Sequence, residues 1–183
     1  YDHFIFVYAS VRGPFIPPYA QLSWMEVLID LLAPQVGIAG TAISLTPKDH
    51  AIAKLYHAKY GENILNQAIL AHVQTTCYAL PQSSLQYLID QGFYDAPKSL
   101  SKDETVRDYE IRLSQLLLAN QLNLKCVLPE YNQFDYRMLT QEINHTSREG
   151  DSGFVNSYFG RTAHPYESIF IKTSRNTFLD MYL

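Results

Sequence analysis

Short apolar runs alternate with amphipathic stretches along most of this chain, and this alternation constrains its fold more than any other feature. The segments 4–8, 36–43, 72–80, 122–128 and 168–172 are apolar and short, as expected of strands. Strands that alternate with helices are typical of α/β sheets. We therefore predict a mixed, mostly parallel sheet flanked by helices, with ligands at the carboxyl ends of its strands.

The helices are predicted from their apolar spacing, caps and breakers. They cover residues 17–32, 49–60, 81–92 and 101–120. In the last of these, Ser101 and Glu104 have the spacing of a capping box. We expect one domain, with an α/β core over 1–128 and an irregular segment over 129–183 that includes a short terminal strand. Because the chain opens directly on a strand, we also expect further sequence upstream.

Composition and charge exclude several classes of function. The net charge is −4 without a Lys/Arg cluster, which argues against nucleic acid as a partner. No apolar run approaches the roughly 20 residues of a membrane span. Cys77 and Cys126 lie in strand-like runs, so we expect buried free thiols, a reducing compartment and a cytoplasmic location. Export by a route without a standard signal is left open. The 14 Tyr residues suit a site for a polar ring-shaped ligand, or simply fill the core.

Glu110 is the candidate catalytic residue that the helical pattern singles out. At about 100° per residue, the helix has an apolar stripe made of Val106, Tyr109, Leu113, Leu116 and Leu117. Glu110 falls inside this stripe, whereas Asp108 falls on the solvated face. An inward carboxylate needs a partner or a polar cavity, and burial would raise its pKa, which suits a general base. The alternative is a Glu at the edge of the stripe, paired with an Arg.

Other polar residues each have two interpretations. Arg12 is either a phosphate ligand or a surface residue in a turn. Lys172 and Arg175 follow a strand and either neutralise a diphosphate or are solvated. His72 is either catalytic or a structural histidine, and His164 either binds a metal or phosphate or does neither.

Six segments carry a family resemblance. They read FIFVYASVRGPF at 4–15, VGIAGTAIS at 36–44, HVQTT at 72–76, YEIRLS at 109–114, LPEY at 128–131 and YFGRTAHPYESIFIKT at 158–173. In this order they resemble bacterial glycosyltransferase-like proteins of the rhamnan-synthesis type. The resemblance implies a GT-A-like, Rossmann-like fold without its N-terminal nucleotide-binding half. It also implies transfer of a hexosyl or deoxyhexosyl group from a nucleotide-sugar donor to a glycan or other hydroxyl acceptor, in polysaccharide biosynthesis.

The same resemblance implies roles for the candidate residues. Glu110 would be the catalytic base, and His72 and Gln74 would contact the acceptor. The donor diphosphate would be held by Ser10, Arg12, Lys172 and Arg175. In GT-A enzymes an Asp-x-Asp sequence holds Mg²⁺ or Mn²⁺, but here that position reads Tyr8-Ala9-Ser10 and has no carboxylate. His164 is the remaining candidate metal ligand.

Two other hypotheses stand beside the enzyme. The missing Asp-x-Asp motivates a catalytically silent glycosyltransferase-like binding module. The third is an unrelated α/β interaction protein whose motifs are coincidental.

Overall fold

A mixed sheet with helices on both faces forms the centre of the protein. The computed structural model describes residues 1–61 and 69–175, except for the side chain of Arg175. The strands are β1 (His3–Val7), β2 (Val11–Arg12), β3 (Val36–Gly40), β4 (Ile43–Pro47), β5 (Ile69–Val73), β6 (Cys77–Pro81), β7 (Asn123–Cys126) and β8 (Ile171–Lys172). The α-helices are α1 (Trp24–Asp30), α2 (Ala51–Tyr60), α3 (Gln82–Asp90), α4 (Lys102–Thr105), α5 (Arg112–Ala119) and α6 (Pro165–Ser168). A π-helical turn over Val106–Ile111 joins α4 to α5, and 3-10 turns cover Pro129–Tyr131 and Thr173–Arg175.

The main sheet has four strands in the order β1-β6-β3-β7. Strand β6 is antiparallel to β1 and β3, and only β3 and β7 are parallel among the described strands. The pairs β2–β8 and β4–β5 form separate antiparallel sheets. The α/β class and the mixed sheet are therefore confirmed, but the expectation of a mostly parallel sheet is wrong. A connection that contains a helix can join antiparallel strands as well as parallel ones, and β4–α2–β5 is such a connection.

Alternate residues of β6 divide the core between the two faces of the sheet. Tyr78 and Leu80 pack in the cluster that contains buried leucines of α3 and α5. Cys77 and Ala79 pack instead with Leu28 of α1. The sheet is therefore covered on both sides, which accounts for the near-complete burial of its central strands.

Some predicted element boundaries differ from the structure because local hydrogen bonds decide them. Helix α1 begins at Trp24 and not at 17, since Ser23 and Glu26 form a capping box that fixes its first turn. The capping box of Ser101 and Glu104 is present as predicted. The predicted strand 72–80 is two strands, because the chain bends between Val73 and Cys77.

Two side chains of helix α5 form hydrogen bonds with the backbone groups of β5 that face away from β4. Ser114 Oγ accepts a hydrogen bond from the backbone N–H of Val73 at 2.9 Å. Gln115 Nε2 donates to the carbonyl of Ala71 at 2.8 Å. Buried backbone groups need hydrogen-bond partners. These two side chains supply the partners that a neighbouring strand would otherwise provide, and they fix the helix against β5.

The segment after β7 is irregular, as predicted, yet it contributes large buried residues to the core. Tyr131, Tyr136 and Tyr158 are fully buried there. Asn144 ties the segment together, because its Nδ2 donates to Tyr131 Oη at 2.7 Å and to the carbonyl of Ser157 at 2.9 Å. This region is therefore packed against the sheet through specific polar contacts.

Gly150 fastens the irregular segment to β4. Its carbonyl accepts from the N–H of Leu45 at 2.8 Å. Its φ is +86°, and a methyl group there would overlap the backbone of Leu45. The close approach of the two backbone segments therefore requires glycine at this position.

Cys77 and Cys126 are free and buried, as predicted. Burial raises the pKa of the Cys77 thiol to about 12, so the thiol is protonated and unreactive at neutral pH. Within residues 1–61 and 69–175, no helix has the length and apolar character needed to cross a membrane.

Replacing Gly150 by Ala should destabilise the protein much more than replacing Gly160 by Ala. Both glycines have positive φ, so both substitutions carry a backbone cost of roughly 1–2 kcal/mol. Only at Gly150 does the new methyl also meet the backbone of Leu45, which adds about 1–3 kcal/mol. Urea unfolding of the two variants measures the difference, and equal losses of unfolding free energy would show that the contact with β4 is loose.

Candidate functional site

The candidate site lies where a long antiparallel ribbon bends. Strands β3 and β4 form one side of the ribbon, and β6 and β5 form the other. Gly40 pairs with Tyr78 on one side of the bend, and Ile43 pairs with Val73 on the other. The β5–β6 side therefore has more residues between these two pairs than the β3–β4 side. The extra residues form a bulge, a feature that redirects side chains and is common beside active sites. Thr41 Oγ1 and Thr76 Oγ1 are 2.7 Å apart and close the bend.

The π-helical turn places Glu110 against this bulge. Glu110 Oε2 accepts a hydrogen bond from Thr75 Oγ1 at 2.7 Å, and Oε1 lies 3.6 Å from His72 Nε2. The Glu110 side chain is only 15% exposed. Single π turns inside α-helices often occur at functional sites, because their extra residue changes which side chains face inward. The carboxylate therefore points towards the sheet.

The hydrogen bonds of His72 define where its protons are. Its Nδ1 lies 3.1 Å from the carbonyl oxygen of Leu70, and a carbonyl can only accept, so Nδ1 carries a hydrogen. Nε2 then faces Glu110 either with a second hydrogen or with a lone pair.

The pKa of Glu110 is lowered, not raised. Burial alone would raise it, but the interaction with His72, the charge of Lys172 and the hydrogen bond from Thr75 together lower it to about 2. The prediction of a raised pKa is therefore wrong, because these partners outweigh desolvation. Glu110 is a carboxylate at neutral pH.

Asp108 is buried, so its predicted place on a solvated face is wrong. The π turn shifts it inward, where Arg107 Nε and Nη2 each lie 2.7 Å from its carboxylate oxygens. Lys59 Nζ at 2.8 Å and Tyr60 Oη at 2.7 Å also donate to it. Arg107 is the main cause of a strongly lowered pKa at Asp108. These donors fill the acceptor capacity of Asp108, so it is not a candidate for catalysis. Its contacts with Lys59 and Tyr60 instead stabilise the π turn against α2.

Gln74 joins the bulge to the irregular segment. Its Nε2 donates to Ser44 Oγ at 2.9 Å and to Asp151 Oδ1 at 2.6 Å. Asp151 Oδ1 also accepts from the N–H of Gly153 at 2.7 Å. The predicted acceptor-binding residues Gln74 and His72 are thus both at the bend, but Gln74 is held by protein groups on a different side from Glu110.

A narrow cleft opens beside Gln74, between the bulge and the irregular segment. Its cavity volume is about 40 Å³. Hydroxyl groups and one cation dominate its polar lining. The lining residues are Thr41, Ala42, Gln74, Thr76, Leu128, Ser152, Gly153, Phe154, Thr162, Ala163, Ser168, Phe170, Ile171 and Lys172.

The β2–β8 pair brings together the backbone, but not the side chains, of the predicted diphosphate residues. Arg12 is opposite Ile171, and Val11 is opposite Lys172. The Ser10 carbonyl accepts from both the N–H and the hydroxyl of Thr173, each at 3.1 Å. Lys172 lines the cleft, whereas Ser10 and Arg12 are exposed outside its lining. Arg175 ends the following 3-10 turn, and its side chain is outside the described part of the structure.

His164 caps helix α6. Its Nδ1 accepts from the N–H of Tyr166 at 3.2 Å, and the nearby Glu167 carboxylate binds Arg161 at 2.7 Å. The donor atoms that a divalent cation would need are thus used by the protein itself, so the residues around His164 do not fit such an ion. Among the described residues, no group of three or more His, Cys, Asp or Glu side chains could hold a metal ion.

Thr75 and Asp151 are the site residues that sequence reasoning missed. Thr75 directly follows the candidates His72 and Gln74 on one predicted strand, but the bend that turns it towards Glu110 leaves no signal in the alternation of residues. Asp151 lies in the irregular segment, where no periodic pattern indicates which side chain faces the sheet.

Replacing Asp108 by Asn should lower the free energy of unfolding by about 2 kcal/mol. The substitution leaves Arg107 and Lys59 without a charged partner, and solvent at the exposed lysine moderates the cost. Urea unfolding measures it, with Asp30→Asn at the exposed end of α1 as the matched control. If both variants lose the same free energy, Asp108 does not stabilise the helix as described.

Glu110 should make stability depend on pH in acid. Because its folded pKa of about 2 is below its ordinary value of 4.5, its contribution is complete above pH 4.5 and is lost as the pH falls towards 2. The stability difference between the native protein and Glu110→Gln should therefore shrink by on the order of 3 kcal/mol across this window.

Urea unfolding at a series of acidic pH values tests this dependence. Glu142→Gln is the matched control, since Glu142 forms an exposed pair with His145 at 3.3 Å. The control should show little change with pH, because exposed pairs contribute little. A constant difference for Glu110→Gln would mean that His72 and Lys172 do not hold the carboxylate ionised.

No protein-family model, curated protein or solved structure matches this chain.

Proposed function

We propose that this chain is the catalytic part of a GT-A-like glycosyltransferase that moves a sugar from a nucleotide-sugar donor to a hydroxyl acceptor. The observation that carries the proposal is the buried carboxylate of Glu110, paired with His72 and influenced by the charge of Lys172. Sugar transfer needs a proton acceptor beside the attacking hydroxyl and positive charge beside the leaving diphosphate. Both groups lie at the bend, close enough for the charge of Lys172 to lower the pKa of Glu110.

The proposed reaction is a direct displacement at the anomeric carbon. The acceptor oxygen forms a bond to that carbon, while the bond from carbon to the diphosphate oxygen breaks and its electron pair leaves with the nucleoside diphosphate. The hydroxyl proton moves to the Glu110–His72 pair. Lys172, which lines the cleft, offsets the negative charge that develops on the leaving group.

The low pKa of Glu110 is compatible with this role because the carboxylate is ionised, and so able to accept a proton, at neutral pH. The proton of the acceptor hydroxyl becomes strongly acidic as its oxygen bonds to the anomeric carbon. It can therefore move to Glu110 during bond formation, and the nucleoside diphosphate leaves without it.

The second candidate is a catalytically silent binding module of the same type. Two observations favour it: the Asp-x-Asp position is Tyr8-Ala9-Ser10, and the cleft is narrow. Such a module would retain binding of a sugar or nucleotide without transfer. Binding and turnover therefore have to be measured separately.

Binding of the leaving group is tested by calorimetric titration of the protein with UDP, GDP, dTDP and CDP, each with and without Mn²⁺. At least one nucleoside diphosphate should bind, and Lys172→Met should weaken it about tenfold, the effect of losing one charge-assisted hydrogen bond. Lys54→Met, at an exposed position of α2, is the control and should bind normally. The comparison with Mn²⁺ shows whether a divalent cation takes part.

Turnover is tested by transfer from radiolabelled nucleotide sugars to a mixture of glycan acceptors. Glu110→Gln keeps the shape of the side chain and an acceptor for the Thr75 hydroxyl, so nucleoside diphosphate binding should persist. The transfer rate should fall by roughly 10²- to 10⁴-fold, as expected for loss of a general base. Binding without any transfer by the native protein would favour the silent module, and an unchanged rate in Glu110→Gln would remove the base from the mechanism.

A further inference from the structure

A wide aromatic groove opens on the bulge beside the cleft already described. Successive residues of the bulge line different spaces, since Gln74 and Thr76 line the cleft and Thr75 lines the groove. The cavity volume of the groove is about 300 Å³. Six aromatic side chains line it: Phe6, Tyr8, Tyr78, Phe93, Tyr94 and Tyr109.

Ring contacts fix much of this aromatic lining in place. Phe6 stacks on Tyr78 with centroids 4.9 Å apart, and Phe93 meets Tyr94 edge-on at 5.0 Å. Phe93 also contacts Tyr109 at 5.5 Å. Rings held in this way lose little conformational freedom when a ligand binds, which favours affinity.

Two of the tyrosines remain open to solvent. Tyr8 is 60% exposed and Tyr94 is 39% exposed. Large exposed aromatic residues that line one concave surface mark a binding site more often than scattered ones do. Their rings can contact a ligand, and their hydroxyl groups can form hydrogen bonds with it.

The chemistry of the groove selects a neutral, hydroxylated ring. None of the side chains that line it is charged, so it offers no cationic partner to a phosphate or carboxylate. It combines aromatic faces with the hydroxyls of Tyr78 and Tyr94, which interact with each other. Burial raises the pKa of Tyr78, and the interaction with Tyr94 raises it further. A pyranose has a matching surface, with C–H groups on its faces and hydroxyls around its edge.

Thr75 connects the groove to the candidate base. It lines the groove, and its hydroxyl donates to Glu110 Oε2 at 2.7 Å, although Glu110 itself is not part of the lining. A sugar on the aromatic rings would thus lie next to Thr75, one hydrogen bond away from the carboxylate that is proposed to accept its proton. We propose that the aromatic groove binds a neutral sugar residue of the acceptor glycan. That the bound sugar belongs to the acceptor rests on the proposed transferase function. That the groove binds a neutral sugar does not depend on this function.

Saturation-transfer NMR with the methyl glycosides of glucose, galactose, mannose and rhamnose tests this proposal. At least one glycoside should receive saturation, strongest at its ring C–H protons. Tyr8→Ala and Tyr94→Ala should each weaken its binding about five- to tenfold, the value of one aromatic contact. Tyr94→Phe keeps the ring and should retain most of the binding, and Tyr19→Ala, at a tyrosine that is 86% exposed outside the groove, should bind normally.

The outcomes separate this proposal from the transferase itself. Glycoside binding that depends on Tyr8 and Tyr94 supports the groove, even if no nucleoside diphosphate binds and no transfer occurs, in which case only the transferase proposal fails. The groove proposal is overturned if none of the glycosides binds, if both alanine variants bind as the native protein does, or if a nucleoside diphosphate displaces the glycoside from the groove.

Discussion

The bend in the β3–β4 and β5–β6 ribbon is the constraint on which the rest of the site depends. A straight ribbon would show alternate residues to the same two faces along its whole length. The bulge closed by Thr41 and Thr76 interrupts the pairing of the ribbon, and its residues line two separate spaces, with Gln74 and Thr76 on the cleft and Thr75 on the groove. Since Ser114 and Gln115 hold the helix against β5, the π turn that carries Glu110 is fixed next to this break.

The two carboxylates of the π turn, Asp108 and Glu110, differ in their hydrogen-bond partners, and these partners determine whether each carboxylate can accept a further proton or ligand. Asp108 receives hydrogen bonds from two cations and a tyrosine, which leaves it little capacity for anything but structure. Glu110 has a hydroxyl and a histidine instead, and its oxygens keep acceptor capacity towards the bend. A regular α-helix would place residues two positions apart on different faces, so the extra residue of the π turn allows both carboxylates to be buried.

Sequence patterns predict the parts of this fold that depend on local interactions. The capping box at Ser101 and the apolar strands follow from residues close in the chain, and both are present. The antiparallel pairing of β5, the bend at Thr75 and the inward turn of Asp108 depend on contacts between distant segments, which periodicity does not record. The helical stripe singles out Glu110, and the resemblance to glycosyltransferases implies roles for His72 and Lys172, but the burial, partners and pKa of Glu110 follow only from the folded structure.

The hydrogen bond between Gln74 and Asp151 has a consequence for the kinetics of the cleft. The irregular segment forms one wall of that narrow space, and this bond and the contact between Gly150 and Leu45 hold the wall to the sheet. We expect a ligand larger than a few waters to enter only while this wall has moved outwards. Its association rate would then depend on the fraction of time that the wall is open.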